Sequence, residues 1–262
     1  MRILMVGDIV GSPGRAAFAR VVGQMKQKHE ADFVVANAEN AAAGRGITAK
    51  LAEELLAAGA DVLTLGDHAW DQKDLAAYLD KEPRIIRPAN FAPGSPGRNL
   101  VTVESPAGRV TVISLVGRVF MPPLFDCPFR TADQILKADA GLGRVIVVDV
   151  HAEATSEKVA MGRYLDGRVS VVAGTHTHVQ TADETILPKG TAYLTDLGMT
   201  GPHDSIIGRD MPAILKKFLT GMPAPFDIAT GDVRLEGLLV TVDEKTGRAQ
   251  KVKRVREKVE SP

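Results

Sequence analysis

Short runs of apolar, β-branched residues recur along the chain and predict a series of buried strands. They occupy residues 2–6, 32–38, 61–65, 144–150 and 169–173. Stretches with helical periodicity separate several of these runs, notably at about residues 13–28 and in a segment that begins near Asp71. Strands that alternate with helices indicate βαβ units and a largely parallel sheet, so the pattern predicts an α/β fold.

Side chains that can bind metal ions follow each of these apolar runs. They are Asp8, Glu39, Asn40, Asp67, His151, His176 and His178. Parallel sheets bind ligands beyond the carboxyl ends of their strands, so we expect these side chains to share one edge. Seven nitrogen and oxygen ligands are too many for one tetrahedral ion but suit two ions that share a carboxylate. The sequence therefore predicts a two-metal centre.

Each of these residues also has a purely structural explanation when it is taken alone. His176 and His178 could equally be a surface pair or two hydrogen-bonded core histidines. Asp8 could cap a helix, Asn40 could belong to a turn, and His151 could be a core histidine. The metal interpretation depends on all five strands ending in the same kind of residue.

The composition indicates a single domain with no formal net charge. We expect a single domain over residues 1–262, because the chain has no linker, low-complexity tract or internal repeat. Lys plus Arg and Asp plus Glu both number 32, so the chain lacks the basic field that long nucleic acids and anionic membranes attract. A small substrate fits this balance better.

Cysteine usage and the amino terminus bear on the compartment. The single cysteine, Cys127, allows neither an intrachain disulfide nor a thiolate cluster, so metal ligands must be nitrogen and oxygen. The first residues already resemble a strand, and no apolar run approaches the ~20 residues that cross a bilayer. We therefore expect a cytoplasmic protein that does not enter a membrane.

The residues around the candidate ligands form a set of recognisable motifs. They read Gly-Asp-Ile-Val-Gly at 7–11, Ala-Glu-Asn at 38–40, Gly-Asp-His at 66–68, His-Ala-Glu-Ala-Thr-Ser-Glu-Lys at 151–158 and Gly-Thr-His-Thr-His-Val-Gln-Thr-Ala-Asp at 174–183. This set resembles a rearranged calcineurin-type metallophosphoesterase signature, in the form of the bacterial YmdB-like metallophosphoesterases. Residues 117–121 and 196–202 are also similar to that family, so the resemblance spans most of the chain.

The resemblance implies more than periodicity alone supports. It implies a metallophosphoesterase-like αββα sandwich of two mixed sheets flanked by helices, where the residue pattern supports only βαβ units. It also implies a phosphodiesterase with two divalent transition-metal ions per chain, acting on small phosphodiesters and in particular on 2′,3′-cyclic nucleoside monophosphates. Iron, manganese and zinc all suit nitrogen and oxygen ligands, so the identity of the metal stays open.

The resemblance further implies how the ligands are shared between the ions. Glu39 is expected to bridge them, with Asp8, Asn40 and His178 on the first ion and Asp67, His151 and His176 on the second. The superfamily's usual Asp-x-His motif has lost its histidine here, where Val10 stands instead. We expect Asn40 to compensate for this lost ligand.

His68 is the candidate catalytic residue. Attack by a metal-activated hydroxide on phosphorus needs no protein nucleophile, but the leaving alkoxide needs a proton. His68 lies next to the ligand Asp67 without being one of the predicted ligands, so it is the expected general acid. The alternative is that His68 only orients Asp67 or a phosphate oxygen.

Three competing functions stay open from the sequence. A regulator could bind a nucleotide at the same metals with slow or no turnover. A binuclear amidohydrolase usually carries His-x-His after its first strand, where this chain has Asp8. A dinucleotide-dependent oxidoreductase is supported only by Gly-x-Gly-x-x-Ala at 44–49, which we interpret as a loop with Thr48 as a helix N-cap. The sequence does not decide the physiological substrate or whether the chain forms a homo-oligomer.

One departure from the family pattern generates a test. The family usually has Asn at the position of Asp67, and a third carboxylate leaves about one positive charge instead of about two on a pair of divalent ions. Compared with Asp67→Asn, the parent protein is expected to show weaker inhibition by phosphate and tighter retention of metal. Inhibition assays measure the effect on phosphate binding, and elemental analysis after dialysis measures the retention of metal. The prediction is contradicted if phosphate inhibition and metal content are both the same in the two proteins.

Overall fold

Within residues 1–122, 125–138 and 141–259, which the computed structural model describes, three apolar cores separate four layers. The first core packs helices against one sheet and includes Phe18 and Leu55. The second fills the space between the two sheets, with Phe33 from one sheet and Val147 from the other. The third covers the outer face of the second sheet and includes Met161. The layers are therefore helix, sheet, sheet and helix.

The described elements alternate along most of the chain. In chain order the strands are β1 (Arg2–Val6), β2 (Asp8–Ile9), β3 (Phe33–Asn37), β4 (Val62–Thr64), β5 (Ile85–Ile86), β6 (Leu100–Ser105), β7 (Gly108–Val116), β8 (Val145–His151), β9 (Val171–Thr175), β10 (Thr185–Ile186), β11 (Ala192–Leu194), β12 (Met199–Asp204), β13 (Gly231–Val242) and β14 (Ala249–Lys258). The helices are α1 (Gly11–His29), α2 (Ala49–Ala58), α3 (Leu75–Leu79), α4 (Pro128–Ala138), α5 (Thr155–Leu165) and α6 (Met211–Thr220).

Both sheets mix parallel and antiparallel pairs. The first has the order β2-β12-β13-β1-β3-β4-β5, with β14 paired to β13, and the second has the order β10-β11-β9-β8-β7-β6. Strands β1, β3, β4 and β5 run parallel to one another, as do β7, β8, β9 and β11. The predicted αββα sandwich of two mixed sheets flanked by helices is confirmed.

Two details of the sequence prediction need correction. The first sheet is mixed rather than largely parallel, because β13 pairs antiparallel with β1, β12 and β14. The helix expected to begin near Asp71 is shorter and begins at Leu75, because residues 71–74 form turns and bends. By contrast, the helix expected at 13–28 is present as α1, and Thr48 caps α2 by accepting a hydrogen bond from the Leu51 amide.

The topology brings the carboxyl ends of strands from both sheets to one end of the sandwich. Asn37 at the end of β3 donates to Asp149 on β8 at 3.0 Å, and it lies 3.4 Å from the Thr175 hydroxyl at the end of β9. The residues that follow these strands are thereby carried to a common place.

Among the described residues, no helix is long and apolar enough to cross a bilayer.

Packing under α1 generates a stability prediction. Phe18 is fully buried in the first core, whereas Phe120 is 83% exposed. Phe18→Ala is expected to lower the free energy of unfolding by about 3–5 kcal/mol, because it removes buried apolar surface and leaves a cavity. Phe120→Ala is the matched control and should change it by less than about 0.5 kcal/mol. Chemical denaturation of both variants measures the difference, and equal losses would contradict the layer assignment.

Candidate metal centre

Four of the predicted ligands converge from both sheets into one cluster. The ligand atoms of Glu39, Asp67, His151 and His176 all lie within 4.8 Å of one another. His151 Nε2 is at the middle, 3.0 Å from Glu39 Oε1, 3.1 Å from Asp67 Oδ1 and 3.0 Å from His176 Nδ1. Two carboxylates and two imidazoles in this arrangement are a donor set that suits a divalent transition metal.

The other three predicted ligands form a second cluster beside the first. Asn40 Nδ2 lies 3.4 Å from Asp8 Oδ1 and 3.2 Å from His178 Nε2. His178 Nε2 is 3.7 Å from Asp8 Oδ1. The clusters meet at Glu39, whose Oε1 is 3.2 Å from Asn40 Nδ2 as well as close to His151. The structure thus places all seven predicted residues together, with Glu39 between the two groups.

Each histidine of the two clusters engages its outer ring nitrogen with an acceptor. His151 Nδ1 lies 2.8 Å from the Thr175 hydroxyl, His178 Nδ1 lies 3.0 Å from the Ile207 carbonyl, and His176 Nε2 lies 3.2 Å from Glu153 Oε2. An imidazole that donates through one nitrogen directs the lone pair of the other toward a metal, and such outer acceptors accompany most histidine ligands. The residues present therefore fit a transition-metal centre.

Burial and the charges of neighbouring groups shift the pKa values of the side chains in the clusters, some upward and some downward. Burial raises the pKa of Asp8 to about 6. Burial also lowers the pKa of His176 to about 3, and the neighbouring His151 adds to this shift. Burial disfavours ionised Asp67, but the hydrogen bond and charge of His151 outweigh it and hold the pKa of that carboxyl below its usual range.

The carboxylates around His151 oppose the effect of burial on its pKa. Burial alone would lower its pKa, but Glu39 and Asp67 outweigh burial and raise the pKa of His151 well above its usual value. Imidazole must lose the proton on its ligating nitrogen before it can bind a metal, so metal binding and proton release are coupled at this residue. A divalent cation at this point would take over the charge that the proton supplies.

Glycine and strained backbone shape the loops around the clusters. A Cβ at Gly66 would lie 2.2 Å from both Glu39 Oε2 and His151 Cδ2, so a side chain there would displace the ligands. His176 and His178 both adopt the left-handed region, with φ of 92° and 64°. Backbone strain of this kind persists only where surrounding contacts impose it, and it concentrates at functional sites.

A buried ion pair holds the loop between these two histidines. Asp196 Oδ2 accepts from Lys158 Nζ at 2.7 Å and from the Thr177 amide and hydroxyl at 3.2 and 2.6 Å. The side chains of Lys158 and Asp196 are both fully buried. In the sequence, these two residues stand in stretches similar to a family, where no local pattern indicates a role for them. The structure shows that they fix Thr177 between His176 and His178.

Glu157 links two further stretches that the sequence left without a role. Its carboxylate accepts from the backbone amides of Arg118 and Val119 at 3.0 to 3.2 Å. Glu157 belongs to the segment after His151, and the two amides belong to residues 117–121. The loop after β7 is therefore tied to the start of α5, beside the metal centre.

Asp149 is a buried residue that sequence reasoning missed. Its carboxylate accepts from Thr64 Oγ1 at 2.5 Å, from Thr175 Oγ1 at 2.7 Å and from Asn37 Nδ2 at 3.0 Å. Because Thr175 donates to Asp149, its oxygen accepts from His151 Nδ1. Burial raises the pKa of Asp149. The available signal was a charged residue inside an apolar, β-branched run, which is rare unless the charge is paired.

His68 lies beside the clusters rather than within them. Its backbone amide donates to Glu39 Oε2 at 3.3 Å, while its side chain is 26% exposed and lines a cleft. His68 Nδ1 is 3.1 Å from Asp71 Oδ2, and Arg45 Nε reaches the same oxygen at 2.9 Å. Asp71 thus orients the ring and leaves Nε2 as the nitrogen able to reach a substrate, a role that the sequence did not indicate.

The chain is similar to known proteins over nearly its whole length. A family model described as YmdB-like protein matches residues 4–255. A Bacillus subtilis (strain 168) protein described as a 2′,3′-cyclic-nucleotide 2′-phosphodiesterase is 48% identical over 255 residues, covering 97% of this chain and 96% of that protein. A solved structure of a hypothetical protein from Thermus thermophilus has a TM-score of 0.91 at 41% identity, covering 98% of this chain and 99% of that one. A structure described as a novel phosphatase from Mycoplasma pneumoniae has a TM-score of 0.92 at 33% identity, covering 98% and 93%.

The Lys158–Asp196 pair generates a prediction about stability. Lys158→Met should lower the free energy of unfolding by about 3–5 kcal/mol, because it leaves the Asp196 carboxylate buried and uncompensated. The double variant Lys158→Met/Asp196→Asn should recover part of this loss, because it removes the stranded charge as well. Chemical denaturation of the parent and both variants measures the effect. A double variant no more stable than the single one would show that the pair is not what stabilises the loop.

Proposed function

The chain belongs to the YmdB-like protein family, and we propose that this metal-dependent phosphodiesterase hydrolyses 2′,3′-cyclic nucleoside monophosphates and other small phosphodiesters. The observation that carries the proposal is the pair of ligand clusters that share Glu39 at one end of the sandwich. The similarity to a Bacillus subtilis protein described as a 2′,3′-cyclic-nucleotide 2′-phosphodiesterase supports the class of substrate.

The two clusters would hold two divalent ions. Asp8, Asn40 and His178 would bind the first, and Asp67, His151 and His176 the second, with the carboxylate of Glu39 shared between them. When bound, such ions activate water near neutral pH and offset the negative charge of the phosphate oxygens. Iron, manganese and zinc remain the candidates, because imidazole nitrogens and carboxylate oxygens dominate the donor set.

The residues of the chain keep the clusters ready for this chemistry. The acceptors on His151, His176 and His178 hold each ring in one orientation, so the ligating nitrogens face inward before a metal arrives. The buried oxygens of Glu39 and Asp8 lie where water is excluded, which strengthens their interaction with a cation. The ligand side chains then need to move little when the metals and a phosphodiester bind.

His68 supplies the proton that the reaction consumes at the leaving oxygen. Water adds to phosphorus, one phosphorus–oxygen ester bond breaks, and the ribose oxygen departs with the proton from His68 Nε2. The proton released by the attacking water restores the imidazolium in the next cycle. Asp71 orients the His68 ring through Nδ1, at a distance of 3.1 Å.

An activity assay tests the proposed reaction against the regulatory alternative. The protein is depleted of metal, reloaded with Mn²⁺, and assayed with bis-p-nitrophenyl phosphate and with 2′,3′-cyclic nucleotides. Turnover that depends on metal, with about two ions per chain by elemental analysis, is the expected result. A metal-loaded protein that binds cyclic nucleotides without hydrolysing either substrate would overturn the proposal and favour a nucleotide-binding regulator.

The role of His68 predicts a difference between two leaving groups. His68→Ala should lower kcat for 2′,3′-cyclic nucleotides by about 10²–10⁴-fold, the usual contribution of a general acid. It should lower kcat for bis-p-nitrophenyl phosphate far less, because p-nitrophenolate leaves as a stable anion without a proton. Metal content should be unchanged. Loss of metal would make His68 a ligand, and an equal loss for both substrates would make it an orienting residue.

A further inference from the structure

A cleft of about 580 Å³ opens beside the metal centre. Its wall begins at His68 and continues along Ile207, Arg209, Lys217, Phe218 and Phe226. Apart from His68, the residues named here follow β12 or belong to α6, so they lie outside the strand ends that supply the ligands. The wall combines aromatic and aliphatic surface with cationic groups, and the chemistry assigned to the metals does not use it.

The cleft is continuous with the ligand clusters. The Ile207 carbonyl, on the wall, lies 3.0 Å from Nδ1 of His178. His68 lines the cleft, while its backbone amide donates to Glu39 at 3.3 Å. A molecule whose phosphate lies at the metals therefore extends its remaining part into this cleft.

Arg209 builds the wall by joining separate segments. Its guanidinium donates to the carbonyls of Ala43 at 3.2 Å and Gly44 at 2.8 Å, which lie in the loop after β3. It also donates to the carbonyl of Phe226 at 2.8 Å. Arg209 Cζ lies 5.7 Å from the centre of the Phe226 ring, and Lys217 Nζ lies 4.6 Å from it. These contacts hold the Phe226 ring in a defined position.

The aromatic rings of the wall remain largely uncovered. Phe218 is 72% exposed and Phe226 is 49% exposed. A planar, partly polar ligand would cover this surface, because aromatic side chains stack on the π-faces of nucleobases. A nucleobase carried by a substrate at the metals has the required flat shape and position.

We propose that this cleft binds the nucleobase of the substrate, with Phe218 and Phe226 as the stacking surfaces. The inference rests on the proposed phosphodiesterase function and adds a reason for selectivity: the enzyme recognises nucleotides rather than any cyclic phosphodiester. The occupant that competes with a base for the same exposed rings is a second copy of the chain.

Substrates with and without a base test the proposal. Phe218→Ala and Phe226→Ala should each raise KM for 2′,3′-cyclic AMP about tenfold, the order expected from losing one base–aromatic contact. The kcat for this substrate should stay within about twofold, and KM for glycerol 1,2-cyclic phosphate, which has no base, should be unchanged. Leu219→Ala is the matched control, because Leu219 is 85% exposed on α6 and does not line the cleft.

A binding measurement separates this proposal from the proposed function. Saturation-transfer NMR should detect adenosine bound to the metal-free parent and to Leu219→Ala, with the signal lost in Phe226→Ala. If the metal-loaded parent hydrolyses neither substrate, the proposed function is wrong. The base site is then tested by adenosine binding alone. Equal KM changes for both substrates, or no adenosine signal, would overturn the base site. Dissociation of an oligomer in Phe218→Ala, seen by light scattering, would assign the surface to a second copy instead.

Discussion

The buried carboxylate of Asp149 is the constraint on which the rest of the site depends. It lies between the two sheets and is hydrogen-bonded by Thr64 and Asn37 from one sheet and by Thr175 from the other. A charge in this environment is tolerated only while its hydrogen bonds are made, so the two sheets cannot slide against each other without a large cost. Since Thr175 also accepts from His151, the same carboxylate sets the orientation of the central imidazole.

The metal centre also consists of buried charged groups, and the chain alone does not fully neutralise their negative charge. The carboxylates of Asp8, Glu39 and Asp67 are held close together with little or no contact with water, and they raise the pKa of the His151 imidazole well above its usual value. Such a site attracts cations, and its rigid surroundings keep the donors from moving apart. The buried pair of Lys158 and Asp196 extends this rigidity to the strained loop that carries the last two histidines.

Chemistry and recognition are divided between parts of the fold with different properties. The ligands stand at strand ends, where hydrogen-bonded sheets fix their positions. The cleft is formed by α6 and by loops, whose apolar side chains are exposed. Loops that line a cleft can change without disturbing the sheets, so substrate preference and metal chemistry can vary separately. His68, oriented by Asp71, lies where the two parts meet.

The order of residues along the chain was enough to predict an α/β class and the candidate ligands, because apolar periodicity marks strands and parallel strands carry their final residues to one edge. The αββα sandwich of two sheets was implied only by the resemblance to a family. Glu39 and Asp67, for example, follow β3 and β4 of one sheet and could be placed together from the pattern alone. His176 follows β9 of the other sheet, so its place beside them depends on how the two sheets pack. Only the packed molecule showed the antiparallel hairpin of β13 and β14 in the first sheet and the supporting residues Asp149, Lys158 and Asp71. These are ordinary polar residues in helices, strands and turns, and the partners that give Asp149 its role lie 85 and 112 positions away. Their function comes from burial and pairing, which are properties of the packed chain rather than of any local pattern.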